Sequence, residues 1–151
     1  GGYQMLGSRI ADPEGIEGAP GSVEGLGLLD VETRLSPVKT LKRISGTAFG
    51  KLFSGYEMHV GVTSGGDCAR PFAAMDDGRA DGASNPDGTV LGTYVHGLFA
   101  STGFRAAFLE RLGGQSMLGD YQASVNDALD DIAAQLEEHV DMAALIDLAT
   151  A

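Results

Sequence analysis

Apolar residues recur at helical spacing over the last third of the chain. Six of them advance by three or four positions at each step: Tyr121, Val125, Leu129, Ile132, Leu136 and Val140. An α-helix turns once every 3.6 residues, so this stripe predicts a long helix with one apolar face. Asp141 is placed to cap a short last helix. Residues 102–112 predict another helix, closed by Gly113 and Gly114.

Four shorter segments, bounded by turn-forming residues, predict strands: residues 28–35, 39–44, 55–63 and 90–95. Between Tyr56 and Val60 larger apolar side chains alternate with polar ones, which is typical of a strand with one buried face. Residues 1–9 are interpreted as a helix, 10–100 as strands and turns, and 101–151 as helices. The predicted fold class is therefore α/β, with a sheet and flanking helices.

Glycine is unusually frequent, at 23 of 151 residues, about twice the usual ~7%. The glycines cluster between apolar segments and stop after Gly119, with no Gly-X-Y period. This distribution indicates tight turns rather than a collagen-like chain or a flexible linker.

Charge and length narrow the function classes. With 21 acidic and 10 basic residues the net charge is −11, which disfavours general binding to nucleic acid or anionic membranes. One cysteine cannot form an internal disulfide, and no apolar run of about 18 residues or signal peptide is visible. The sequence thus predicts a single cytoplasmic domain without nucleic-acid or membrane partners.

His96 is the first candidate for chemistry, because it ends an apolar strand and precedes Gly97. Sheets often present reactive groups at strand ends, although a histidine there can also simply terminate the strand. Cys68 lies in a loop, and Pro71 opposes a helix starting at the cysteine. A Cys68–His96 pair is one hypothesis, and a passive loop cysteine is favoured over it.

The other histidines favour structural interpretations. His59 and Glu57 are two residues apart on one strand, so they are predicted to share a face. There the two side chains could interact with each other or could both simply face solvent, and the second interpretation is favoured. His139 lies near a helix end, a favourable position for a cation. The spacing matches no zinc, calcium or phosphate-loop motif, and no metal site is predicted.

Several segments, in order, resemble one family. They are residues 1–7 (Gly-Gly-Tyr-Gln-Met-Leu-Gly), 24–33, 55–63, 87–88, 92–99 (Gly-Thr-Tyr-Val-His-Gly-Leu-Phe), 104–105 and 129–141. Together they resemble the class I, triad-type glutamine amidotransferases, in the branch that amidates corrinoids. The resemblance covers essentially the whole chain and implies a flavodoxin-like sheet with flanking helices.

The resemblance also implies a mechanism and its residues. In this family a cysteine thiolate attacks the carboxamide of glutamine, and a histidine acts as base and then as acid. The family's histidine corresponds to His96. Its glycines after the nucleophile correspond to Gly1 and Gly2, with the Gly1 N–H as an oxyanion donor, and its pocket glutamine corresponds to Gln4.

Two departures from the family pattern change the expectation. Many class I enzymes carry a glutamate two residues after the histidine, where this chain has Leu98, so a Cys–His dyad is expected. Glu57 or another carboxylate remains open as the group that orients His96. The nucleophile is expected immediately before Gly1, so the 151 residues are interpreted as an N-terminally truncated part of the domain, inactive alone.

The implied partners are glutamine, a corrinoid substrate and the enzyme's own N-terminal synthetase domain. ATP and Mg²⁺ are expected in that synthetase domain, and no cofactor is expected within residues 1–151. Two alternatives stay open. One is the glutaminase of a related amidoligase, such as cobyrinic acid a,c-diamide synthase or a cell-wall isoglutaminyl synthase. The other is a non-catalytic interaction module of the same fold.

Overall fold

The computed structural model describes residues 1–115 and 119–150 of the chain. Within them the strands are β1 (Arg9–Asp12), β2 (Gly21–Glu24), β3 (Glu32–Ala48), β4 (Lys51–Ser64), β5 (Ala73–Met75), β6 (Ala80–Asp81), β7 (Ala83–Ser84), β8 (Leu91–Gly92) and β9 (Val95–His96). The α-helices are α1 (Gly2–Leu6), α2 (Thr102–Arg111), α3 (Tyr121–His139) and α4 (Met142–Thr150). Single 3₁₀ turns lie at Gly66–Ala69 and Leu98–Ala100.

The hairpin of β3 and β4 contributes the two longest described strands of the main sheet, with 17 and 14 residues. Its register shifts between Arg34 and Lys39, around Pro37, which has no N–H to give to a strand partner. At the tip, Phe49 (φ 51°) and Gly50 (φ 69°) both adopt left-handed conformations, as a two-residue hairpin turn requires.

Strand order in the main sheet is β2-β1-β3-β4-β9, with β5 pairing with β3 and β6 with β5. β1 and β3 run parallel, and the other described pairs of this sheet are antiparallel. β7 and β8 form a separate two-stranded sheet. The α/β prediction is therefore confirmed, as a mixed sheet with flanking helices. Among the described pairs, β1–β3 is the one that runs parallel as in a flavodoxin-like sheet.

Two apolar clusters hold the elements together. The larger lies between the hairpin and α2, and its buried residues are Ile44, Ala48, Phe53, Ala73, Met75, Val95, Leu98 and Phe104. Phe104 is fully buried, and the ring of Phe49 packs against it at 5.9 Å between centroids. The smaller cluster lies against α1 and contains Tyr3, Leu29, Val31 and Ala83.

The C-terminal helices form as the sequence predicts. The carboxylate of Asp120 accepts hydrogen bonds from Gln122 N and Ala123 N at the start of α3, and Asp141 caps α4 through Ala144 N at 3.0 Å. The apolar stripe of α3 is nevertheless exposed, with Leu129 at 57% and Ile132 at 56%. No described helix is long and apolar enough to cross a membrane.

The first predicted helix is too long. α1 ends at Leu6, and the chain is already a strand at Arg9, because Ser8 N donates to Val31 O and starts the approach to β3. The predicted strand over 28–35 begins only at Glu32. The residues before it instead fold back on α1, where Leu28 N and Leu29 N both donate to Leu6 O.

Other strand boundaries also differ from prediction. Residues 39–44 are not a separate strand but the middle of β3. The predicted strand 90–95 is split into β8 and β9, because the carboxylate of Asp81 binds the intervening Thr93 and Tyr94. The short strands β1, β2, β5, β6 and β7 were not predicted.

Candidate active site

His96 ends β9 at the edge of the main sheet, opposite Tyr56 of β4. Gly55 allows this close pairing, since a Cβ at that position would collide with His96 O. After His96, Gly97 turns the chain in a left-handed conformation at φ 84°. The imidazole is exposed and lies parallel to the Tyr56 ring, with 5.0 Å between centroids.

Glu57 does not orient His96. It pairs with Val95 across the strands, so its side chain leaves β4 on the face opposite to Tyr56 and His96. Its buried carboxylate instead accepts two hydrogen bonds from the Arg79 guanidinium, at 3.2 and 3.1 Å. Within residues 1–115 and 119–150, no carboxylate makes a hydrogen bond or ion pair with the His96 ring.

Asp81 fixes the peptide that leads to His96. Its carboxylate accepts hydrogen bonds from Thr93 Oγ1 and from Tyr94 N, the latter at 3.2 Å. Burial raises the pKa of this carboxyl group above its ordinary value, and the two hydrogen bonds only partly oppose that rise. Residues 93–96 are therefore held both by this carboxylate and by the pairing with β4.

Tyr94 joins this peptide to α1. Its ring stacks on His59, with 3.8 Å between centroids, and meets the Tyr3 ring edge-on at 4.9 Å. Its hydroxyl shares a 2.5 Å hydrogen bond with Thr63 Oγ1 and accepts one from Gln4 Nε2 at 3.3 Å. The predicted pocket residue of α1 is thus bonded to a residue two positions before His96.

Gly1 and Gly2 lie at the exposed start of α1, where Gly1 O accepts a hydrogen bond from Met5 N. A Cβ at either position would meet nothing within 4 Å. Packing among the described residues therefore gives no reason for glycine at these two positions, and their predicted role concerns the backbone.

A cavity of about 270 Å³ opens beside Tyr94. Its polar lining includes Tyr3, Glu57, His59, Cys68, Arg79 and Asp81. Glu57 and His59 share this side of β4, as their two-residue spacing predicts. The expectation that both face solvent is wrong for Glu57, whose side chain is buried where it binds Arg79. Sequence reasoning missed Arg79 and Asp81, and neither lies in a motif that singles it out.

Cys68 lies on this cavity, with its sulfur 3.9 Å from the Tyr3 hydroxyl. Burial and the neighbouring Cys68 raise the pKa of Tyr3. Neither His96 nor Gln4 lines the cavity. Cys68 and His96 therefore have different surroundings, which favours a passive role for Cys68.

The remaining histidine, His139, lies on the surface and not among the residues that line the cavity. His139 is exposed in the last turn of α3, where a cation is favourable next to the helix C-terminus. Among the residues described here, no three His, Cys, Asp or Glu side chains are grouped so that they could hold a metal ion.

Comparison with known proteins identifies similar chains. A CobB/CobQ-like glutamine amidotransferase domain matches residues 1–104. The chain is 64% identical over its whole length to a cobyric acid synthase from Rhizorhabdus wittichii, of which it covers 31%. It is 56% identical, over 99% of its length, to cobyric acid synthases from Sphingopyxis alaskensis and Paracoccus denitrificans, covering 31% of each. The chain thus spans about a third of the length of these curated relatives.

Proposed function

Because the chain belongs to the family of CobB/CobQ-like glutamine amidotransferase domains, we propose that it releases ammonia from glutamine within a cobyric acid synthase. The geometric observation that carries this proposal is the link through Tyr94. Two predicted site residues, Gln4 and His96, lie on elements that Tyr94 ties together. The relatives reported above share one name, which favours this branch over the alternative amidoligases.

In the proposed reaction, a cysteine immediately before Gly1 in the longer polypeptide is the nucleophile. His96 takes the thiol proton, and the thiolate sulfur bonds to the carboxamide carbon of glutamine. The C–N bond then breaks, and His96 returns its proton to the departing nitrogen as ammonia leaves. Water, deprotonated by His96, hydrolyses the thioester to glutamate and restores the thiol.

The backbone and the strand end assist these steps. By the family resemblance, we propose that the Gly1 N–H donates a hydrogen bond to the oxyanion that forms on the carboxamide oxygen. Among the described residues His96 has no carboxylate partner, since position 98 is a leucine buried in the core and Glu57 is bound to Arg79. We therefore infer a Cys–His dyad rather than a triad.

The ammonia is used elsewhere in the same polypeptide. We propose that a synthetase domain there uses ATP and Mg²⁺ to activate side-chain carboxylates of adenosylcobyrinic acid a,c-diamide. Supporting this, the chain accounts for only 31% of the length of its relatives. We assign none of the described residues to ATP, Mg²⁺ or the corrinoid. We also propose that the protein is cytoplasmic.

A glutaminase assay on the full-length polypeptide tests the proposal. We expect His96→Ala to lower ammonia release at least about 100-fold, the usual contribution of a general base, while the fold is retained because the imidazole is exposed. Cys68→Ser and His139→Ala are matched controls and should keep full activity. Unchanged ammonia release in His96→Ala would rule out the assignment.

The same assay separates the alternatives. Residues 1–151 alone should release no ammonia, because their single cysteine, Cys68, does not share surroundings with His96. Adding ATP and the corrinoid to the full-length polypeptide should stimulate glutamine hydrolysis. A lack of activity in the full-length polypeptide would favour the non-catalytic interaction module.

A further inference from the structure

The side chain of Gln4 has a single possible orientation. Its Nε2 donates to Val60 O at 2.9 Å and to the Tyr94 hydroxyl at 3.3 Å. A backbone carbonyl can only accept, so the atom facing Val60 O must be the amide nitrogen and not the oxygen. The two N–H bonds of the amide are both used by these partners.

The other amide atom, Gln4 Oε1, is not used by these two partners. In the described part of the chain, no side-chain nitrogen or oxygen that is sealed from solvent lacks a hydrogen bond. Oε1 makes none of the described hydrogen bonds although Gln4 is only 8% exposed, so this atom reaches solvent-accessible space. It can accept from an N–H donor, such as the ammonium or carboxamide group of an amino-acid amide.

Tyr94 is held in place by contacts other than the one with Gln4. Its ring lies between His59 and Tyr3, and its hydroxyl bonds to Thr63 Oγ1, which in turn bonds to Thr33 Oγ1 at 2.6 Å. In one proton order that satisfies this chain, Gln4 donates to Tyr94, Tyr94 donates to Thr63 and Thr63 donates to Thr33. In either direction of the bond with Thr63, the Tyr94 oxygen is held in place and accepts from Gln4 Nε2.

We propose that Tyr94 is a positioning residue for glutamine binding. Its hydroxyl holds the Gln4 amide so that Oε1 is presented to an N–H group of the substrate. This inference rests on the proposed glutaminase function. It assigns to Tyr94 an effect on substrate binding that is separate from the proton transfer by His96.

The test is Tyr94→Phe in the full-length polypeptide, assayed for glutaminase activity. Phenylalanine keeps the ring contacts with His59 and Tyr3 and removes only the hydroxyl. We expect KM for glutamine to rise roughly 2- to 10-fold, the range for one neutral hydrogen bond, with kcat changed less than about twofold. Tyr121→Phe, the same change at an exposed residue of α3, is the matched control and should leave both constants unchanged.

A second variant shows whether Tyr94 acts through Gln4. In a Gln4→Met background the hydroxyl has no amide to hold, so adding Tyr94→Phe should cause no further rise in KM. An equal rise in both backgrounds, an unchanged KM, or a loss confined to kcat would each overturn the inference. If the wild-type polypeptide hydrolyses no glutamine, the proposed function fails first and this inference with it. With active wild type, the Tyr94→Phe result concerns the inference alone.

Discussion

At the scale of single residues, the carboxylate of Asp81 orders the peptide before His96, but burying its charge is energetically unfavourable. The carboxylate holds Thr93 and Tyr94, yet it is only 7% exposed and Glu57 lies close enough to disfavour its charge. Its pKa is raised above 3.8, with burial as the largest cause. The folded protein therefore binds this proton more tightly than the unfolded chain does.

We predict that Asp81→Asn raises the unfolding midpoint at pH 7. Asparagine keeps an oxygen that accepts from Thr93 and Tyr94 and removes the desolvated charge. Because the folded pKa is raised, stability falls as pH rises through the interval from 3.8 up to the folded value. The advantage of the variant should vanish well below pH 3.8, where Asp81 is protonated in both states.

Thermal unfolding followed by circular dichroism at both pH values checks this prediction. Asp130→Asn is the control, since Asp130 is exposed on α3 and its replacement should not shift the midpoint. A lower midpoint for Asp81→Asn at pH 7 would contradict the reasoning. It would mean that the anionic form makes stronger hydrogen bonds than its burial costs.

At the scale of elements, an ion pair joins β4 to the turn before β6. Glu57 is 1% exposed, while the side chain of its partner Arg79 is half-exposed and also donates to Asp77 at 3.0 Å. Hydrogen bonds from Arg79 to Glu57 raise the pKa of the guanidinium further above its ordinary value. The pair is thus a buried acceptor covered by a cation at the surface.

Removing the cation alone should be more damaging than removing the pair. We expect Arg79→Met to lower the free energy of unfolding by about 2 kcal/mol, less than the roughly 3–5 kcal/mol for a wholly buried pair, because Arg79 is half-exposed. Adding Glu57→Gln removes the stranded charge and should restore part of the loss. Urea unfolding of the single and double variants measures this, and strictly additive losses would contradict it.

The elements differ in how far sequence could define them. The helices α2, α3 and α4 were predicted within one or two residues, because periodic apolar positions and the capping residue Asp141 are local signals. The strands were predicted less well. Their ends depend on partners far away, such as Leu6 for residues 28–29 and Asp81 for the break between β8 and β9.

The candidate site shows the same division. Gln4 and His96 are predicted as site residues because they belong to short motifs that can be recognised along the sequence, and their roles stay predictions. The contacts of Tyr94 with Gln4, Thr63 and His59 join segments that are 30 to 90 residues apart, and no pattern along the chain encodes those distances. Whether Glu57 faces His96 also depended on strand register, which only the fold provides.

At the scale of the whole molecule, burial is concentrated in the part of the described chain that precedes α3. No residue of α3 or α4 is buried, whereas Phe104 of α2 is sealed among Phe53, Phe72 and Phe108. The stability of the protein should therefore depend on the cluster between α2 and the hairpin and not on the apolar stripe of α3.

Two truncations compare these regions directly. Phe104→Ala should lower the free energy of unfolding by about 3–5 kcal/mol, through lost burial and the cavity left behind. Ile132→Ala removes an apolar side chain that is already 56% exposed and should change it by less than about 0.5 kcal/mol. Urea unfolding of both variants is the measurement. A large loss in Ile132→Ala would show that the stripe is covered in solution.

Phe49 and Gly50 connect β3 directly to β4, so the strand pairs next to this turn lie close together in sequence. Closing a short loop is fast and entropically cheap, which favours early zipping of the hairpin from its tip. β9 must instead reach β4 across 40 residues, from His96 to Tyr56, and long-range pairs form more slowly. The hairpin is then a template on which His96 docks in a late folding step.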